Sequence, residues 1–262
     1  MIGIFDSGLG GLTALREIVR LLPGRDIVYF GDTGRVPYGT RSSETIVRYA
    51  LQDMRFLCTQ AVDVVLAACG TVSSTALHVL RSTFPLPIIG VVEGAAQAAA
   101  HATKNRRVGV IATGATVSSG AFVQAIKSID PQIDVTSVAC PMLVPLVENG
   151  YIADDDPVTA LVLDDYLSAI RAAGVDTLIL GCTHFPILTG AIARALPDVT
   201  LINSGAEAAK LLAAQVPPKQ ADEEGRVRYF VSDSVPGFAR VASIFLGEPV
   251  EDEVTRIDIE RF

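Results

Sequence analysis

The chain has 262 residues, enough for one large domain or two small ones; half are apolar and only 19% charged, so a sizeable buried core is expected. A net charge of −8 and a pI of about 4.9 argue against a nucleic-acid footprint or an anionic membrane surface as partner. The N-terminus enters a strand-like run at once and carries Asp6, which leaves no charged-then-apolar leader, and no stretch approaches the about eighteen apolar residues of a membrane span. The four cysteines show no C-x-x-C and no regular spacing, so the expectation is free thiols in a soluble, cytoplasmic protein.

Residues 2–5 read as a short strand, and Asp6-Ser7-Gly8-Leu9-Gly10-Gly11 as a Gly-rich turn. Apolar spacing over 12–22 predicts a helix that Pro23-Gly24 ends. A second strand over 27–30 is followed by a loop over 31–39, too rich in Gly, Asp and Pro to be helical. A helix is predicted over 42–60, with Ser42 or Ser43 as its N-cap. The run from Val62 into Cys69 is a strand, 73–84 a helix and 87–92 another strand. Strand, loop and helix in repetition describe a parallel, doubly wound α/β sheet.

The pattern then restarts. Val108-Gly109-Val110-Ile111-Ala112-Thr113-Gly114 resembles Ile2-Gly3-Ile4-Phe5-Asp6-Ser7-Gly8 position by position. Further helices are predicted over 93–103, 156–173 (closed by Gly174) and 205–214, and strands over 135–139, 201–203 and 228–231. Pro217-Pro218 and Asp222-Glu223-Glu224-Gly225 are expected to form a solvated connection. These signals divide the chain into two similar α/β halves, 1–93 plus 206–262 and 94–205, each a doubly wound parallel sheet.

Two matching cysteine stretches carry the chemistry. Val62-Asp63 leads through an apolar run to Ala68-Cys69-Gly70-Thr71, and Val175-Asp176 leads likewise to Gly181-Cys182-Thr183-His184. A continuous apolar run of this length reads as a strand buried on both faces, which puts each Cys at the strand end where parallel sheets bind ligands. A single such Cys would more often be a buried packing residue. Two at equivalent positions, followed by hydroxyl and imidazole groups, point to function. Cys182 and His184 also fit a metal site or a Cys–His amidase, but no third and fourth ligands converge, and the amidase leaves Cys69 unexplained. Paired thiols suit proton removal from one face of a carbon and delivery to the other. The 6–11 turn lacks the third glycine of a dinucleotide fingerprint and the Lys of a phosphate loop, so it suits a carboxylate, with Asp6 as a modulator of a nearby cysteine. His78 and His101 read as surface or structural residues, Cys58 and Cys140 as packing residues, and Arg35 as half of a structural ion pair.

Ile4-Phe5-Asp6-Ser7-Gly8-Leu9-Gly10-Gly11, Tyr29-Phe30-Gly31-Asp32-Thr33-Gly34-Arg35-Val36-Pro37-Tyr38-Gly39, Ala68-Cys69-Gly70-Thr71, Leu143-Val144-Pro145-Leu146-Val147-Glu148-Asn149-Gly150 and Gly181-Cys182-Thr183-His184-Phe185-Pro186 resemble the signature segments of the cofactor-independent glutamate racemases. The resemblance runs through nearly the whole chain. It implies an active site between two pseudo-symmetric α/β domains, interconversion of L- and D-glutamate for peptidoglycan, and Cys69 and Cys182 as the acid/base thiols. It further implies auxiliary acid/base roles for Asp6, Glu148 and His184. Asp6, Ser7, Pro37, Tyr38, Gly39, Gly70, Thr71, Thr113, Thr116, Thr183 and His184 fall at substrate-binding positions. No cofactor or metal is implied, the partner is the small-molecule substrate, and a homodimer is left open.

Gly70 departs from the resemblance, which places Asn there with its side chain on the substrate. A Gly70→Asn variant is expected to keep glutamate activity if the pocket is otherwise ordinary. Helix N-termini after Cys69 and Cys182 are expected to favour their thiolates. Two other functions fit the same segments: a racemase for aspartate or another amino acid, and a non-catalytic binding or regulatory relative, which a racemization assay over several amino acids separates.

Overall fold

The computed structural model of the chain describes residues 1–217, 219, 225–250 and 252–262. Part of the connection expected over Pro217-Pro218 and 222–225 lies outside the described residues. From the N-terminus, β1 (Ile2–Asp6), α1 (Leu12–Leu21), β2 (Ile27–Gly31), α2 (Ser43–Thr59), β3 (Val64–Ala67), α3 (Gly70–Thr75), α4 (Leu77–Thr83) and β4 (Ile88–Gly90) alternate as the apolar runs require. After α5 (Val91–Ala102) come β5 (Arg107–Ala112), α6 (Gly114–Ser119), α7 (Ala121–Ile129), β6 (Asp134–Ala139), α8 (Leu143–Glu148), α9 (Pro157–Ala172), β7 (Thr177–Leu180), α10 (Thr189–Ala195) and β8 (Thr200–Asn203). The chain closes with α11 (Ser204–Gln215), β9 (Val227–Val231), α12 (Val235–Leu246) and β10 (Val254–Arg256).

Two sheets result, with strand orders β10-β9-β2-β1-β3-β4 and β6-β5-β7-β8, and every pairing is parallel. The run β2-β1-β3-β4 repeats as β6-β5-β7-β8, which is the structural form of the sequence match between 2–8 and 108–114. β9 and β10 extend the first sheet by pairing on β2. Cys69 and Cys182 each stand two residues beyond twin strands, β3 and β7.

Local signals explain most element ends. The Ser42 side chain accepts the Thr45 N–H to cap α2, and Asp156 accepts from Val158 and Thr159 to cap α9. Gly174, at φ +62°, closes α9. The helix expected over 73–84 instead begins at Gly70, directly after Cys69, and is interrupted at Ala76. The strand expected over 87–92 stops at Gly90, because the Val91 N–H turns to the Ser73 hydroxyl and starts α5. Cys58, expected to pack, is exposed. The buried face of α2 runs through Ile46, Ala50, Met54 and Leu57, and the position after Leu57 turns outward. Cys140 is buried, as expected of a packing residue, while His78 and His101 lie on the surface.

Candidate active site

The ends of β3 and β7 open on one cavity of about 380 Å³, with both Cys69 and Cys182 in its wall. Ser7, Pro37, Tyr38, Gly39, Gly70, Thr71, Thr113, Glu148, Thr183 and His184 line it too. Two expected site residues stand behind the wall. Asp6, fully buried, accepts the Gly8 N–H at 3.0 Å and so shapes the turn that carries Ser7. Thr116 is bonded to Thr113 across 2.9 Å and fixes that hydroxyl.

The two thiols have different neighbours. Cys69 donates to the Ser7 hydroxyl at 3.4 Å. Burial, and then the Asp6 carboxylate, push the Cys69 thiol up to about 12, which the Ser7 contact and the Val72 N–H offset only in part. The expectation that the following helix favours the thiolate therefore fails here: α3 is six residues long, and desolvation outweighs its N-terminal amides. A charge on Cys182 raises Cys69 further, so the two sulfurs sense one another across the cavity.

Cys182 lies 3.9 Å from His184 Nδ1, and His184 Nε2 lies 2.9 Å from Glu148 Oε1. Burial alone would lower the imidazole, but its contacts with Cys182 and Glu148 outweigh burial and push it up to about 10. Asp6 is raised by burial, and His184 partly offsets this. Thiol, imidazole and carboxylates thus form one electrostatic cluster, with a proton held on His184 at neutral pH. Glu148 is its exposed end, with 35% of its side chain accessible.

Two supports had no counterpart in the sequence reasoning. Phe245 of α12 meets the His184 ring edge-on at 5.0 Å, a contact between distant segments that no local pattern announces. The Thr13 hydroxyl, on α1, contacts the Thr183 carbonyl at 3.0 Å. Gly10 must lack a side chain in this turn, because a Cβ there would strike Thr183 Oγ1 and His184. The Tyr38 hydroxyl is engaged by Asp32 and, at 3.1 Å, by Asp53. Arg35 binds both carboxylates, to Asp32 at 2.6 Å and Asp53 at 2.9 Å, which is the structural ion pair expected of it. Asp53 could have been suspected from its sequence position, as a carboxylate in phase with the apolar face of α2.

Gly70 is tighter than expected. A Cβ at this position would run into the backbone carbonyl oxygen of Gly181. The expectation that Gly70→Asn keeps glutamate activity was conditional on an otherwise ordinary pocket, and at this position something must shift to admit a side chain. The space is filled by main chain, which has no rotamer to give.

Residues 2–212 match the Asp/Glu/Hydantoin racemase family. The chain is 45% identical over 264 aligned residues to the glutamate racemase of Geobacter metallireducens, covering 99% of this chain and 97% of that one. It superposes on the crystal structure of Francisella tularensis glutamate racemase in complex with D-glutamate with a TM-score of 0.92 at 34% identity, covering 100% of this chain and 98% of that one. For Thermus thermophilus glutamate racemase in complex with β-chloro-D-alanine, the TM-score is 0.89 at 40% identity, with 100% and 98% covered. The twin sheets, the cavity between paired cysteines and these full-length matches agree, and the chain belongs to the Asp/Glu/Hydantoin racemase family.

Proposed function

We propose that this chain is a glutamate racemase, exchanging L- and D-glutamate by a two-thiol proton transfer at Cα and supplying D-glutamate for peptidoglycan. The observation that carries the reading is that Cys69 and Cys182 stand at equivalent strand ends, one from each sheet, and line the same cavity. In this reading the substrate lies between residues 1–93 plus 206–262 on one side and 94–205 on the other. The names of the full-length relatives support glutamate as the substrate.

The Cα–H of an amino acid is a weak acid, so one sulfur must act as thiolate while the other keeps its proton to donate. Cys182 removes the proton from L-glutamate and Cys69 protonates the opposite face; the reverse reaction starts at Cys69. Each turnover exchanges their protonation states. His184, paired with Glu148, places a positive charge beside Cys182, and Asp6 places a carboxylate near Cys69. The cavity wall offers Ser7, Thr71, Thr113 and Thr183 hydroxyls, together with turn amides, to the substrate's carboxylates. The chemistry is proposed to need no cofactor or metal, and the partner is the substrate alone.

The test uses Cys69→Ser and Cys182→Ser, assayed with chelator present and no cofactor added. Wild type should racemize glutamate, and faster than aspartate. Both variants should lose racemization by about a hundred- to ten-thousandfold, in line with removal of an acid/base group. Each should still eliminate a leaving group from one enantiomer of a β-substituted glutamate, because elimination needs a single base. Opposite enantiomer preferences support two one-sided bases; the same preference in both variants rejects them.

A further inference from the structure

We propose that Thr13 of α1 and Phe245 of α12 are positioning residues for His184, so that elements of the six-stranded sheet hold the imidazole that serves the thiol of the four-stranded one. Cys182 follows β7, whereas α1 follows β1 and α12 follows β9. Cys69 has a different arrangement: its partner Ser7 follows β1, which pairs with β3 in the same sheet.

The turn after Cys182 does not satisfy itself. The Phe185 N–H bonds the Cys182 carbonyl at 3.1 Å, and the Ile187 N–H bonds the His184 carbonyl at 3.1 Å. Pro186, between them, has no N–H to offer the Thr183 carbonyl three residues back. The Thr13 hydroxyl fills that place at 3.0 Å, sharing its proton with the Gly10 carbonyl at 2.8 Å. Thr13 and Thr183 are both buried, so bulk water does not compete for this carbonyl. The Thr183 carbonyl belongs to the peptide unit that leads into His184, and holding it sets where the imidazole starts. On the same side, the Gly10 backbone lies so near that a Cβ there would strike Thr183 Oγ1 and His184 Nδ1. Phe245, fully buried, meets the ring itself edge-on at 5.0 Å. What depends on this grip is the contact between Cys182 and His184 Nδ1, which at 3.9 Å is already long, so a small shift parts the pair.

The proposal rests on the two-thiol reading for its catalytic consequence. Losing the grip should weaken Cys182 as a base and leave Cys69 with its Ser7 contact. Racemization cannot show this, because the equilibrium between the enantiomers ties the kcat/KM of its two directions together. Elimination from a β-substituted glutamate can, and the enantiomer that Cys69→Ser still processes marks the Cys182 base. A misplacement of about 1 Å can cost on the order of a hundredfold in rate, so Thr13→Val should lower elimination from that enantiomer at least about tenfold and from the other by less than about threefold. Thr13→Ser restores the hydroxyl and should return both to within about threefold of wild type. Equal losses on both enantiomers, as a merely structural defect would give, or no recovery in Thr13→Ser, overturn the proposal.

Nitrogen NMR of the imidazoles at neutral pH reads the grip without any activity, since the chain has three histidines and both His78 and His101 lie on the surface as references. The titratable groups that face His184 are Cys182, Glu148 and Asp6, and all three remain in the variants. Thr13→Val should move the His184 ring nitrogens toward the neutral-imidazole pattern, Thr13→Ser should leave them in place, and His78 and His101 should not move in either. Unmoved His184 nitrogens in Thr13→Val overturn the proposal. A wild type inactive on glutamate rejects the racemase reading instead, and the NMR result still decides the grip. Should Thr13→Val not fold, Phe245→Leu takes its place, loosening the ring from the α12 side. The same one-sided loss of elimination with the same movement of the ring nitrogens supports the proposal; equal losses or unmoved nitrogens overturn it.

Discussion

His184 is buried, with 8% of its side chain accessible, yet carries a proton because Cys182 and Glu148 outweigh the cost of burial. A chain that unfolds would release that proton near the ordinary value of 6.5, while the folded chain holds it to about 10. The stabilisation is therefore complete below the lower value and is lost as pH rises through the higher one. Its size is on the order of a few kcal/mol, by the equivalence of pKa shift and free energy. The thermal midpoint of wild type, measured against that of His184→Asn, should lose ground steadily between those two pH values. A difference that stays flat over that window would show that His184 is neutral in the fold. Glu148→Gln, which keeps a hydrogen-bond acceptor but removes the charge, should move the loss to lower pH. The Cys69 environment works in the opposite sense to that of an activated thiol, since burial and Asp6 keep it protonated. Of the two sulfurs, only Cys182 has an imidazolium beside it, an asymmetry already written in the sequence, where His184 stands two residues after Cys182 and Thr71 at the matching place after Cys69.

At the scale of elements, most strands were legible as apolar runs ending at a special residue, whereas β10, Val-Thr-Arg, has no such run and was not expected; the twin cysteines were legible because a Val-Asp pair and an apolar run precede each. The break between α3 and α4 was not, for no Gly or Pro stands at Ala76. What decides the local path is a contact between segments eighteen residues apart. The Ser73 hydroxyl donates to the Ala67 carbonyl at 2.8 Å and accepts the Val91 N–H at 3.2 Å. One side chain thus joins the end of β3, the helix behind Cys69 and the first turn of α5. Ser73→Ala leaves both backbone groups buried without that partner, which should cost about 1–3 kcal/mol in denaturant unfolding. A loss under about 0.5 kcal/mol, the range of an ordinary surface substitution, would mean that this joint is not holding the strand end. The Arg35–Asp32–Asp53–Tyr38 network shows the same limit of sequence reading. Its ion pair was visible at i, i+3, but its role in seating the 37–39 turn at the cavity depends on α2 packing from elsewhere in the chain.

The sequence repeat suggests two bodies, yet the packing joins them. One continuous core runs from Ile2 and Ile4 of β1 through Ala208, Ala209 and Leu212 of α11 to Ile111 of β5 and Leu178 and Leu180 of β7. The connecting helices lie inside this core. α11 leaves the second sheet and packs on α1 of the first, while α5 leaves the first sheet and packs on both α11 and α7. Thr13–Thr183 and Thr71–Thr113 add hydrogen bonds across the same boundary. Opening either half would expose the apolar faces of α5 and α11 that the other half covers, so neither half keeps its core alone. We therefore expect a single cooperative thermal transition, with the calorimetric enthalpy matching the van't Hoff value, although chains of this size often unfold in steps. Residues 94–205 produced alone should lack native near-ultraviolet dichroism, because α11 and β1 are missing from their core. Two resolved endotherms, or a folded 94–205 fragment, would show that the repeat marks independent domains and that the shared core contributes little to holding them together.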